Sequence, residues 1–350
     1  MIGIAREGLD RIPAYVPTPL VGVDLDLRDN VNLWGAPPGA MRALRGAAAE
    51  SLNAYPAVSS AALTAAIAER LGVRVDEVAA GCGSDDLLDV AFRAVASPGE
   101  RVAHAEPTFA MVPRFARLNG LEPVGVPLLA DGAADVDGLL ATGARIIYLC
   151  SPNNPTGTIT PESEIRRLIA QAPGIVIVDE AYAEYSVARD WRVEVPAMER
   201  VMVLRTFSKA WGLAGLRVGY GVGSRALVDA VVRSRGPYKV NALGELAAVT
   251  AMREDGDWMR AAVAEARENR VRLDALVRGR PGVRPWSSEG NFVFWQLEQD
   301  AFAAAARFAE RGIGVRAFSG LPGIGEALRI GMAPWPMLQR VADLVPEIWP

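Results

Sequence analysis

The chain has 350 residues, 51% hydrophobic and 22% charged, with a net charge of −4, a globular composition with room for two domains or one large one. It carries no basic tail and no zinc-finger spacing, and its continuous apolar runs are too short to span a bilayer, which argues against nucleic acid, structural metal and membrane as partners. Its first residues, MIGIAREGLDRIPAY, do not read as a signal peptide, and two cysteines, Cys82 and Cys150, are no disulfide framework. A reducing, cytoplasmic setting is therefore expected, with both thiols as small buried apolar residues.

In chain order, residues 1–35 are irregular and proline-rich, with IPAYVPTPL and NLWGAPPG, and read as an arm. MRALRGAAAESLNAY and SAALTAAIAERLG are helical by alanine content. GCGSDDLLDVAFRAVA is a glycine turn opening an amphipathic helix; RVAHAEP is a strand, TFAMVPRFARLNG a helix and EPVGVPL a strand. His104, the one histidine, falls near the end of RVAHAEP and reads as structural. RIIYLCSP, GIVIVDEAY and RVMVLRTFS are β-rich runs. Between the first two, TPES predicts a helix start, with Thr160 as N-cap and Pro161 in the first turn. GYGVGS half-matches a dinucleotide glycine pattern, but Ser224 stands where the third glycine belongs, so a glycine-rich strand edge is the better reading. A long helical region from about 241 to 279 follows, then GNFVFWQL, DAFAAAARFAERG, GVRAF, ALRIGMA and a last helix.

This alternation predicts an α/β fold: a large domain at 36–240 with a mainly parallel, helix-covered sheet, plus a smaller α+β domain at 241–350 that the arm, 1–35, joins. In such sheets polar groups at the carboxyl ends of strands share one crevice. That rule gathers Asn153 and Asn154 from SPNNPTG, Asp179 and Tyr182 from VDEAY, and Ser208 and Lys209 from TFSK. Gly83, Ser84 and Asp85 open a helix whose free N–H groups suit a phosphate, with Thr206, Ser208 and Arg217 to complete the cup.

Lysine is rare here. Only Lys209 and Lys239 occur among 37 basic residues. An amine can lose its proton and act as a nucleophile, which guanidinium cannot do. An amine, a carboxylate, a phenol, an amide and a phosphate cup in one crevice are the needs of pyridoxal 5′-phosphate. Lys239 reads as a surface residue. Asp179 and Glu180 side by side also suit a magnesium-dependent nucleotide hydrolase, but the chain has no GxxxxGK[ST] loop.

The series SPNNPTG, VDEAY and TFSKAWGLAGLRVGY resembles the fold-type I pyridoxal-phosphate aminotransferases. GCGSDD, AEPTF, RSRGPYKVN, SSEGNFVFW and the Arg316/Arg329 pair resemble the histidinol-phosphate aminotransferase branch, and the likeness runs from Tyr15 to Arg329. The resemblance implies that Lys209 bonds the cofactor and moves the proton, that Asp179 pairs with its ring nitrogen, and that Tyr182 and Asn154 bind its ring oxygen. Phe109 would stack on the ring, and Ser84, Asp85, Thr206, Ser208 and Arg217 would serve the phosphate region. Tyr55 would reach the phosphate of a second subunit, which implies a homodimer with shared sites. Arg329 would clamp a substrate carboxylate, and Arg316, Arg329 and Tyr15 would meet the phosphate of histidinol phosphate, with glutamate or 2-oxoglutarate taking the same place in the second half-reaction.

The segment Asn30-Val31-Asn32-Leu33-Trp34-Gly35 departs from the branch's usual Asn-Glu-Asn-Pro-Tyr-Gly, and Val112 replaces a usual tyrosine. Trp34 and Val31 would make the substrate pocket more apolar, which keeps an aromatic amino acid aminotransferase as the alternative. A decarboxylase of a phosphorylated amino acid is a more distant one, and an idle binding protein would need neither Lys209 nor Asp179.

Overall fold

The computed structural model describes Leu9 and residues 12–14, 22–188 and 190–350. Its first strand, β1 (Leu25–Asp26), belongs to the arm. Seven strands build the large sheet: β2 (Val78–Gly81), β3 (Arg101–Glu106), β4 (Glu122–Pro127), β5 (Ile146–Cys150), β6 (Ile175–Asp179), β7 (Val201–Thr206) and β8 (Gly219–Gly223). They lie in the order β2-β8-β7-β6-β5-β3-β4. β3 to β7 are mutually parallel, while β8 runs antiparallel to both its neighbours, β2 and β7. GYGVG is thus an interior strand, and VAAG, too short and alanine-rich to announce itself, takes the edge beside it.

The central strands read as unbroken apolar runs because helices cover both faces. Ile147, Leu149, Val176, Val178 and Val203 pack into one core; Tyr148, Cys150, Ile177, Met202 and Leu204 pack into the other, against Leu88 and Phe92. Each fully buried Val, Ile or Leu here contributes roughly 1.5–3 kcal/mol by leaving water. All five parallel strands therefore end on one side, and their carboxyl ends open the crevice described below.

A second sheet holds β9 (Val283–Pro285), β10 (Phe292–Leu297), β12 (Arg316–Leu321) and β13 (Gly325–Gly331), all antiparallel, in the order β12-β13-β10-β9. β11 (Ile313–Gly314) pairs in parallel with β1, which ties the arm to this region. From there the arm runs on as a strap, residues 27–34, across the mouth of the crevice. Asn30 on it is buried and has a left-handed backbone, φ 54°, which asparagine tolerates better than most residues.

Some local expectations need correction. MRALRGAAAESLNAY does not form one helix: Gly46 ends a helix at Pro38–Arg45, and only a single turn follows at Glu50–Asn53. The helical region after 241 is two helices, Ala242–Glu254 and Gly256–Val277, with Asp255 between them accepting from the N–H groups of Gly39 and Ala40. Thr160 is not an N-cap. The helix Glu162–Gln171 starts after Pro161, and Thr160 Oγ1 accepts from Ala134 N at 3.2 Å instead. Cys150 is buried, but Cys82 is exposed at the turn before its helix. His104 is buried within β3, with Nδ1 2.9 Å from the Ala105 carbonyl.

Candidate active site

A cavity of about 630 Å³ opens at the carboxyl ends of β5, β6 and β7. Its lining includes Ser84, Asp85, Phe109, Asn154, Asp179, Tyr182, Thr206, Ser208, Lys209, Arg217, Arg316 and Arg329. The structure thus brings together, from segments up to 245 positions apart, twelve of the sixteen residues singled out in the sequence.

Asp179, the last residue of β6, is buried at one end. Its Oδ1 accepts from Ala181 N at 3.0 Å and its Oδ2 from the Tyr148 hydroxyl at 2.7 Å. Burial pushes its carboxyl up to about 6, against those two hydrogen bonds. Glu180, next in the chain, faces the other way and pairs with Arg205 at 2.8 Å, both nearly inaccessible. The two carboxylates diverge and do not form a magnesium pair.

Lys209 follows β7 in a tight turn. Its Nζ donates to the Asp29 carbonyl of the strap at 2.9 Å and lies 5.7 Å from the centre of the Tyr182 ring. Burial, reinforced by the positive Arg329, pushes the amine down to about 8. Tyr182 is buried edge-on to Phe292, and its hydroxyl accepts from Asn30 Nδ2 at 3.2 Å. Burial pushes this phenol up to about 12, so it stays protonated and available as a donor.

The opposite corner is built for an anion. The helix Gly83–Val95 points its N-terminus at the cavity. Arg217 reaches Ser208 Oγ at 3.4 Å and Asp85 at 3.5 Å, and Ser208 N donates to Thr206 Oγ1 at 3.0 Å. Burial pushes the Asp85 carboxyl up, opposed by Arg217 and Lys209. Two glycines keep this corner open. A Cβ on Gly83, φ 82°, would stand 2.7 Å from the Arg217 guanidinium, and one on Gly219 would stand 2.3 Å from Ser84 N. Gly83 therefore shapes the corner from beneath without lining the cavity.

At the outer end, Arg316 and Arg329 sit directly opposite each other on β12 and β13. Arg329 donates to Asn154 Oδ1 and to the Arg28 carbonyl, and its guanidinium lies 5.5 Å from the Phe292 ring and 5.8 Å from that of Phe318. Asn153 does not share the role of Asn154. It bonds Pro107 O, Thr108 and Thr156, and so knits the loop of Phe109 to the SPNNPTG turn.

Two expected residues stand outside the lining of the cavity. Trp34 does not line the cavity; its indole donates to Glu265 Oε2 at 2.6 Å on the helix Gly256–Val277. Tyr55 is 84% exposed and stacks on Tyr238 with ring centres 4.8 Å apart. Tyr15 lies outside the described residues. Lys239 is no free surface charge: its Nζ is 2.7 Å from Asp86 Oδ1, and the side chain is three-quarters buried.

Sequence reasoning missed Asp29, Thr108, Met111, Cys150 and Phe318 in the lining, as well as Tyr148 behind Asp179. Asp29 acts through a backbone carbonyl, which no residue pattern announces. Tyr148 was legible in principle as the one polar group in the apolar run IIYLC, which needs a buried partner.

The sequence profile of the aminotransferase class I and II family matches residues 23–343. An aromatic amino acid aminotransferase of Rhodococcus jostii (strain RHA1) is 38% identical over 320 residues, covering 89% of this chain and 88% of its own. A histidinol-phosphate aminotransferase of Geobacillus thermodenitrificans (strain NG80-2) is 34% identical over 359 residues, covering 97% and 96%. The crystal structure of histidinol-phosphate aminotransferase from Sinorhizobium meliloti in complex with pyridoxal 5′-phosphate superposes with a TM-score of 0.87 at 27% identity, over 93% of this chain and 91% of that one.

Proposed function

The chain belongs to the aminotransferase class I and II family, and from that premise we propose that its amino donor is histidinol phosphate and its acceptor 2-oxoglutarate. It is a pyridoxal-phosphate-dependent transaminase, moving an amino group from a donor to a 2-oxo acid. The residues present fit that cofactor: the glycine-cleared corner beside Arg217 accepts a phosphate, and buried Asp179 offers a carboxylate at the opposite end. When bound, the cofactor supplies an aldehyde that bonds amines and a ring that accepts electrons.

The residue roles follow from position and chemistry. Ser84, Asp85, Thr206, Ser208 and Arg217 hold the phosphate end, with Gly83 keeping the space. Phe109 covers the ring face. Tyr182 and Asn154 serve the ring oxygen, and Asp179 keeps the ring nitrogen protonated. Lys209 Nζ, pushed down to about 8 by burial, would be the group that moves the proton between the substrate Cα and the cofactor when it is bound.

The observation that carries the donor assignment is Arg316 facing Arg329 across adjacent strands, two guanidiniums on one wall, suited to a dianionic phosphate in one half-reaction and a carboxylate in the other. A second reading, an aromatic amino acid donor, is favoured by Val31 and Phe318 in the lining and by the relative from Rhodococcus jostii. Tyr55, with Leu52 and Val58 exposed beside it, supports a homodimer in which Tyr55 serves the partner's phosphate corner. We read residues 36–240 as the cofactor domain and 241–350, joined by the arm, as the domain carrying the substrate arginines. Among the described residues no helix is long and apolar enough to cross a membrane.

The test is a donor panel with 2-oxoglutarate as acceptor. Histidinol phosphate is expected to give the highest kcat/KM, at least tenfold above histidinol, because the phosphate contacts are charge-assisted. Preference for phenylalanine or tyrosine would replace this donor with the aromatic one, and release of carbon dioxide in place of amino transfer would make the enzyme a decarboxylase.

A further inference from the structure

Tyr148 lies in the middle of β5, fully buried, on the sheet face that also carries Cys150, Ile177 and Asp179. Packing alone does not require its oxygen: phenylalanine would fill the same space among Ile146, Ile177 and Met202. A buried hydroxyl costs several kcal/mol without a partner, and this one has Asp179 Oδ2 at 2.7 Å. Asp179 in turn has no ion-pair partner among the described residues. Arg205, a cation whose charge acts on it, is engaged by Glu180 at 2.8 Å and Glu184 at 3.0 Å. The carboxylate therefore depends on two neutral donors, Ala181 N on Oδ1 and Tyr148 on Oδ2.

We propose that Tyr148 is a positioning residue for Asp179: its hydroxyl fixes the rotation of the carboxylate and holds its charge, so that the remaining lone pairs face the cofactor's ring nitrogen.

Two donors at opposite oxygens define the carboxylate plane. Without Tyr148, one oxygen loses its partner in a site that burial already pushes toward the neutral acid. A neutral Asp179 no longer pairs with a protonated ring nitrogen, and the electron-accepting power of the ring falls. Other groups face this pair. The Cys150 thiol donates to the Pro152 carbonyl, and burial pushes it up, so it stays neutral. Asp85, from the helix Gly83–Val95, adds to the upward push on Asp179, and Arg205 opposes it. His104 lies beside Tyr148 in register on β3, and burial pushes it down, toward the neutral ring. Tyr182 and Lys209 stand on the cavity side.

The experiment uses pyridoxamine 5′-phosphate, which cannot bond Lys209 covalently and so reports the non-covalent contacts, with the Asp179→Asn background separating those of the ring nitrogen from those of the phosphate. Full-length protein freed of cofactor is titrated with it by calorimetry between about pH 5 and about pH 9. In the wild type, affinity falls below pH about 6 as Asp179 takes up its proton. In Tyr148→Phe the fall moves up by about one pH unit or more, which makes binding at least about twofold weaker near neutrality, approaching roughly tenfold weaker near pH about 5, and restores it at high pH. Tyr148→Met, which fills the space with a flexible apolar chain, shifts the curve the same way. In an Asp179→Asn background, Tyr148→Phe adds nothing.

An unshifted curve in a Tyr148→Phe protein of wild-type Tm overturns the proposal. So does weakening that is uniform across pH, or an equal loss in the Asp179→Asn background. Failure of both Tyr148 variants to fold assigns the residue a packing role only and likewise overturns it.

Discussion

The two ends of the cavity are built differently. The inner end is made of strand termini and the helix that follows a glycine turn, all from one sheet. The outer end is assembled from the strap at 28–31 and from β12 and β13, nearly 300 residues later in the chain. The inner groups are fixed by packing: Asp179 by two hydrogen bonds, Arg217 by Ser208 and Asp85. The outer groups are held across gaps in the chain: Arg329 donates to Arg28 O, and Asp29 O of the strap accepts from Lys209 of the inner end. On the proposed reading, the inner end carries the type of chemistry, and the composite outer end selects the molecule that undergoes it.

Variants at the two ends should therefore fail in different ways. Lys209→Ala lies at the inner end and should lower kcat roughly 10³-fold or more for every donor alike, with loss of the visible absorbance of the lysine-linked cofactor. Unequal losses among donors would erase the division of labour. The pH dependence of cofactor capture comes next in size. Desolvation disfavours the ammonium form, so the neutral amine of Lys209 appears at a lower pH than usual. Capture of pyridoxal 5′-phosphate, followed by stopped-flow absorbance, should rise about tenfold per unit up to pH about 8 and then level off. A rise that continues past pH about 10 would give this amine its ordinary value. Arg316→Ala, at the outer end, should cost a phosphorylated donor about 2 kcal/mol in kcat/KM, roughly thirtyfold, and phenylalanine only a few-fold. Equal losses for both would remove Arg316 from phosphate recognition.

The same contrast explains what the sequence disclosed. Asp179, Lys209 and Asn154 were legible because each ends or follows an apolar run, and parallel strands deliver such residues to one place. Arg217 and Gly83 were legible because a helix start and a nearby cation have one common use. The outer end was less so. Arg316 and Arg329 emerged through family likeness, since no periodicity says that two strands in the last tenth of the chain will face a sheet formed much earlier. Trp34 shows the limit: the last residue of the strap, it turns its indole to Glu265 and does not line the cavity. Lys239 shows another. A lysine in a polar loop reads as solvated until the fold sets Asp86 beside it. The reversed strand β8 is flanked at the sheet edge by VAAG, four residues with almost no signal of their own.

The pairing of β1 with β11 has a consequence for how the protein is made. Leu25 and Asp26 leave the ribosome long before their partners, Ile313 and Gly314. Until then the strap cannot seat, and neither Lys209 nor Arg329 has its backbone acceptor. A chain that stalls before β11 can fold its large sheet and still lack a finished catalytic centre, so competence waits for β11 and the strands that follow it.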